Sequence, residues 1–100
     1  MKKLVAGISL AALTMAGTLA FAAGADDYKA KCAMCHGADG KGQMAKKMGS
    51  HDLTDPAVQG KSEADIAGII ANGQGKMTGF KGKLSDDQIK AVAAYVKTLK

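Results

Sequence analysis

The sequence predicts a small all-α domain. Three stretches carry apolar residues at helical spacing, two of them open on recognisable caps, and nowhere do apolar and polar residues alternate with period two as in a strand. The connections between these stretches are rich in Gly, which suits loops joining helices. A chain of 100 residues holds one domain and excludes a multi-domain enzyme with a large cleft.

Taking the elements in order, residues 1–22 hold 15 of the apolar side chains behind the positive pair Lys2-Lys3. They end in Ala20-Phe21-Ala22, with small residues at the −3 and −1 positions of a cleavage site. This is the layout of a secretory signal peptide, so residues 1–22 are assigned as a cleaved signal and 23–100 as the mature domain. A second cut is open after Ala25. The competing reading is an uncleaved anchor, since about 20 apolar residues can span a bilayer. Gly7, Ser9, Thr14, Gly17 and Thr18 dilute the run and favour cleavage. The expected product is exported to the periplasm of a Gram-negative bacterium, with no stable membrane insertion once the signal is removed.

The first helix is expected from about Asp26 to His36, its two leading acids facing the positive end of the helix dipole. The second opens on Ser62-Glu63-Ala64-Asp65, close to a capping box. It lines one face with Ile66, Ile69 and Ile70 and stops at Asn72-Gly73. The third has Ser85 as cap, Gln88 to complete a capping box and Leu84 to staple onto Ile89. Its stripe is Ile89, Val92, Ala93, Val96 and Leu99. Residues 37–61, rich in Gly, Lys and Asp, are expected as a loop. A structureless loop of that length belongs in so small a domain only if it is functional or wraps something.

Charge narrows the partners. All 14 basic residues are Lys, and net charge is +5, or +3 after removal of the signal. Without Arg the chain lacks the usual bidentate reader of phosphate and guanine, which weakens any nucleic-acid reading of the charge, and no nucleic-acid partner is expected. The core is thin. Beyond residue 22 only eleven Leu, Ile, Val or Phe side chains are left, and domains of this size usually need a disulfide, a metal or another staple.

Cys32-Ala33-Met34-Cys35-His36 is a C-x-x-C-H run, the attachment signature of c-type haem. On a helix Cys32 shares a face with the residues three and four further on, so one turn presents two sulfur anchors and one imidazole. A disulfide across two intervening residues would constrain almost nothing. A thioredoxin-like pair would need strands, and a zinc site would need a second ligand pair where only His51 is available. Cys32 and Cys35 are therefore the expected covalent attachment points and His36 the expected axial ligand of one haem c. The free ring N–H of His36 needs an acceptor, a backbone carbonyl. For the sixth ligand the candidates are Met34, Met44, Met48, Met77 and His51. Met34 lies off the ligand face, and Met44 and Met48 sit in a Lys-rich segment. Met77 lies in Gly73-Gln74-Gly75-Lys76-Met77-Thr78-Gly79-Phe80, where Gly lets the backbone approach a flat cofactor and Phe80 can cover it. Met77 is favoured, with bis-histidine ligation through His51 as the rival.

From Gly24 onward the chain resembles a small class I cytochrome c. Gly24 stands eight residues before Cys32 and Tyr28 four before it, and Ala94-Tyr95-Val96 lies in the last helix. The resemblance implies a cytochrome c fold, three main helices and connecting loops wrapped around one covalently attached haem. It implies that Tyr28 and Tyr95 pack where Gly24 lets two helices approach, and it favours cleavage after Ala22, which keeps Gly24. Met77 and Phe80 match the family's Met-Pro-x-Phe loop, with Thr78 in place of the Pro. No Pro follows His36, where many members have one.

The implied function is a soluble, monomeric periplasmic carrier of single electrons and not an enzyme. It would pass electrons between redox protein partners, a quinol-oxidising complex and a terminal oxidase or reductase. Lys31, Lys41, Lys46, Lys47, Lys76 and Lys81 could steer acidic partners. Two alternatives are kept: a haem sensor or peroxidase-like protein with an open sixth site, and a dedicated electron-donor subunit of one periplasmic enzyme.

Overall fold

The computed structural model describes residues 22–100, and the expected signal peptide lies outside the described residues apart from Ala22. Helix α1 covers 22–31 among the described residues, and a turn at Cys32 separates it from α2, Ala33–His36. Then follow α3 (Gln43–Lys47), α4 (Pro56–Gln59), α5 (Glu63–Asn72) and α6 (Asp86–Val96). The described residues contain no strand, only isolated bridges at Gln74–Met77 and Lys81–Leu84. The all-α expectation and its three main helices, α1, α5 and α6, are what is found.

The caps act as their residue types dictate. The Asp65 N–H donates to Ser62 Oγ at 3.1 Å, and Gly73 ends α5 at φ 80°. At α6 the capping box is complete: Gln88 N–H donates to Ser85 Oγ at 3.1 Å and Ser85 N–H to Gln88 Oε1 at 2.8 Å. Such a cap is worth about 1 kcal/mol.

Three expectations need correction. The first helix does not run unbroken from Asp26 to His36. Helix is already present at residue 22, so Asp26 and Asp27 lie within α1 and not at its leading end. The helix is also interrupted by a turn at Cys32, whose φ of −115° is stretched from the usual helical value and whose carbonyl accepts from both Cys35 N–H (3.3 Å) and His36 N–H (3.0 Å). The 37–61 segment is not structureless, because it holds α3 and α4. Leu99 falls beyond α6, which stops at Val96, and its side chain instead lies over Gly40.

α5 packs against α6, and α1 approaches α6 closely at Gly24 and Ala91. A Cβ at Gly24 would collide with the Ala91 carbonyl, its carbon only 2.8 Å away. One turn on, the Tyr28 and Tyr95 rings meet with centroids 5.2 Å apart at 47°, a tilted pairing that adds to the apolar area buried. Tyr28, Cys32, Ile66, Ile70, Leu84, Ile89, Val92, Ala93 and Val96 form the buried core.

Candidate functional site

Two adjoining cavities of about 350 and 640 Å³ share Cys32, His36, Gly49, Ser50, His51, Gln74 and Met77 in their walls. The inner one is walled by core residues, Ile66, Ile70, Val92 and Val96 among them. The outer one opens past Cys35, Lys31, Lys76 and Phe80. Their volumes lie in the range of small-molecule and cofactor sites.

The C-x-x-C-H turn forms one end. Cys32 is buried in the turn, and burial, with Asp27 nearby, pushes its thiol up to about 11. Cys35 is half-buried, its Sγ 3.7 Å from Met44 Sδ, and the two cysteines are not joined as a disulfide. His36 closes α2. Burial lowers its pKa and keeps the imidazole neutral, which is the form that ligates a metal. Its Nδ1 is buried without a hydrogen-bond partner, so the carbonyl acceptor expected from the sequence is not found for that atom. The turn is backed by close chain packing. Gly42 N–H donates to His36 O at 2.8 Å, and a Cβ at Gly42 would lie 2.6 Å from the His36 carbonyl carbon. Tyr28 OH donates to Gly37 O at 2.7 Å, tying the segment after His36 to α1.

Met77 also lines the slot, in a loop set by its own backbone. Gln74 and Met77 exchange N–H···O bonds of 3.2 and 2.9 Å around Gly75, which has φ +57°. Phe80 N–H donates to Ile70 O at 2.8 Å and Lys81 N–H to Ala71 O at 3.0 Å. A Cβ at Gly79 would come within 2.6 Å of Ala71 O. These contacts fix the loop although Thr78 replaces the Pro. Among the described methionines Met34 is 85% exposed, Met44 49% and Met48 48%, whereas Met77 is half-buried and lines both cavities. His51 also borders both cavities, but its side chain is 67% exposed with Nδ1 3.9 Å from Asp55 Oδ2.

Of the lysines singled out by sequence, Lys31 and Lys76 stand at the outer mouth and Lys46 pairs with Asp52 at 3.2 Å. Lys41, Lys47 and Lys81 are exposed outside the cavity walls. The sequence reading missed Gly42, whose lack of a side chain lets the backbone close against His36; Gly79, one of the glycines it gave a close backbone approach, makes that approach to Ala71 and Asn72 of α5. It also missed Gln59, which bonds across the fold and stands in no periodic pattern.

Comparison with known proteins gives the class. Residues 19–96 match the family described as "Cytochrome C oxidase, cbb3-type, subunit III". The chain is 46% identical over 78 residues to cytochrome c6 of Leptolyngbya boryana, covering 75% of this chain and 87% of that one. It is 40% identical over 93 residues to the cbb3-type cytochrome c oxidase subunit FixP of Azorhizobium caulinodans, covering 91% of this chain but 31% of FixP. The chain thus spans about a third of that larger relative. The solved KustC0563 c-type cytochrome superposes with a TM-score of 0.71 at 30% identity, over 77% of this chain and 96% of that one. The chain belongs to the small class I c-type cytochromes. It carries one covalently bound haem c and is an electron carrier, not an enzyme. The site fits that group: two thiols and a neutral imidazole share one turn, and an apolar slot adjoins them.

Proposed function

We propose that the chain is a periplasmic one-electron carrier, with haem attached through Cys32 and Cys35 and its iron held between His36 and Met77. It would shuttle electrons between a quinol-oxidising complex and a terminal oxidase or reductase. The observation that carries this reading is that His36 and Met77 line the same slot, Met77 being half-buried where the other described methionines are exposed. Bound haem supplies a one-electron iron couple. The chain's own residues set its conditions. His36 is neutral and available as a ligand. The Met77 thioether, softer than a second imidazole, raises the potential relative to bis-nitrogen ligation. Ile66, Ile70, Val92 and Val96 keep water from the inner slot. Lys31 and Lys76 at the outer mouth favour an acidic partner surface over that edge. Export rests on the signal-like residues 1–22, and no helix among the described residues is long and apolar enough to cross a membrane.

Absorption spectra of the oxidised and reduced protein test the assignment. Wild type should show thioether-linked haem with a weak far-red sulfur–iron band when oxidised, and Met77→Ala should lose that band and bind carbon monoxide when reduced. A low-spin Met77→Ala spectrum that keeps the band refutes Met77 in favour of another methionine, Met44 or Met48. A low-spin wild-type spectrum without the band refutes it in favour of His51 and makes His51→Ala the informative variant. The likeness to part of FixP favours a second reading, a donor dedicated to one oxidase. Capture of one stoichiometric enzyme partner would support it over a free shuttle.

A further inference from the structure

The wall of the slot opposite α5 is the 53–61 segment, which contributes Leu53, Ala57, Val58 and Lys61 to the inner cavity. Little apolar contact holds it, since Leu53 and Val58 are only half-buried and α4 has no buried residue. Its polar ties are unusual in reach. The Gln59 side-chain amide donates both hydrogens, to Leu53 O at 2.6 Å and to Val96 O at 2.9 Å. Lys97 Nζ returns the contact, donating to Gln59 O at 2.5 Å and Lys61 O at 2.8 Å. These bonds to Val96, Gln59 and Lys61 span 36 to 38 residues of sequence. One bond from each side chain satisfies a carbonyl left open at the end of the other's helix, Val96 O for Gln59 and Gln59 O for Lys97. Val96 itself lines the inner cavity, so the joint lies at the slot's edge.

We infer that Gln59, together with Lys97, is a positioning residue for the haem slot: the pair clamps the 53–61 wall to the end of α6 and so limits how far water reaches the cofactor. The inference rests on the haem-carrier reading. Releasing the wall admits water, which favours the oxidised, more highly charged site and lowers the reduction potential. Leu53 N–H keeps its bond to Gly40 O at 2.8 Å in either case, so the wall hinges there and does not detach.

The test uses haem-loaded protein carrying Gln59→Leu or Lys97→Met, with potentiometric titration and amide hydrogen exchange read by residue. Both variants should keep the wild-type haem spectrum and helical circular dichroism. Exchange in 53–61 should rise about tenfold while Ile66–Ile70 stays near wild type, and the potential should fall. Exchange that rises equally across α1, α5 and α6 with an unchanged potential would mean a merely structural role and overturn the inference, as would no change in either readout. If Gln59→Leu yields no haem-loaded protein, Lys97→Met, which leaves both Gln59 side-chain bonds in place, decides by the same two readouts. A wild-type preparation without haem absorbance would instead overturn the carrier reading, so the two failures are told apart.

Discussion

Gly79→Ala puts the loop that carries Met77 under a defined load. The new methyl would lie 2.6 Å from Ala71 O, 2.7 Å from Asn72 C and 2.9 Å from Asn72 O, all backbone atoms of the last turn of α5. Carbon–carbon contacts are comfortable only at about 3.5 Å or more, and no flexible side chain is present to give way. Gly79 is not at positive φ, so its backbone angle alone would tolerate Ala, which elsewhere stabilises by about 0.4–1 kcal/mol through the unfolded chain. Opposing this are about 1–3 kcal/mol of overpacking and a weakened Phe80 N–H to Ile70 O bond of 2.8 Å, worth about 0.5–1.5 kcal/mol net. The repulsion wins, and the variant should lose about 1–4 kcal/mol. Because the strain is relieved by moving 73–80 away from α5, the loss should appear at the iron too, as a weaker far-red band and partial carbon monoxide binding. Gly82→Ala is the control. At φ +84° it meets nothing within 4 Å, so it should cost about 1–2 kcal/mol of backbone strain and leave the band intact. Urea unfolding and oxidised spectra of both variants suffice. A Gly79→Ala protein as stable as wild type with a full band would refute the argument.

Gly24→Ala should separate α1 from α6 at Ala91 and lower stability by about 1–3 kcal/mol, measured by thermal melting of the haem-loaded protein. The haem spectrum should change little, because the close approach lies two turns before Cys32. Haem-free protein carrying Cys32→Ala and Cys35→Ala should be largely unfolded. Native-like helical circular dichroism with a cooperative melt would show otherwise.

What the sequence disclosed was local. Ser62, Ser85, Gln88 and Gly73 mark helix ends because their partners lie within four residues, and the haem turn is legible for the same reason. α4 carried a signal of that kind: Asp55 accepts from Ala57 N–H at 2.9 Å and Pro56 occupies the first helical position. Read as a cap followed by Pro, those residues mark a helix inside the supposed loop. α3 has no such mark, since its cap is Gly42 with no side-chain bond. The break at Cys32 lies in backbone angles that the residue types do not betray. Gln59 and Lys97 could not be read at all, because what gives them meaning lies 36 to 38 residues away.

The thin core and the slot are one problem. Tyr28, Cys32, Ile66, Ile70, Val92 and Val96 are at once buried core and lining of the inner cavity. An unfilled apolar cavity costs about 24 cal/mol per Å³, so 350 Å³ amounts to about 8 kcal/mol as an upper bound for a cavity partly open to water. Domains of this size hold about 5–15 kcal/mol in all. The chain has few larger side chains with which to collapse the space, and the helices that border it are pinned apart by their own packing, α1 on Ala91 and α5 against α6. A group filling the slot therefore does more than add contacts, because it completes the core that these helices share among the described residues. Covalent attachment follows from the same balance: a domain whose fold depends on its cofactor is safer when that cofactor cannot dissociate.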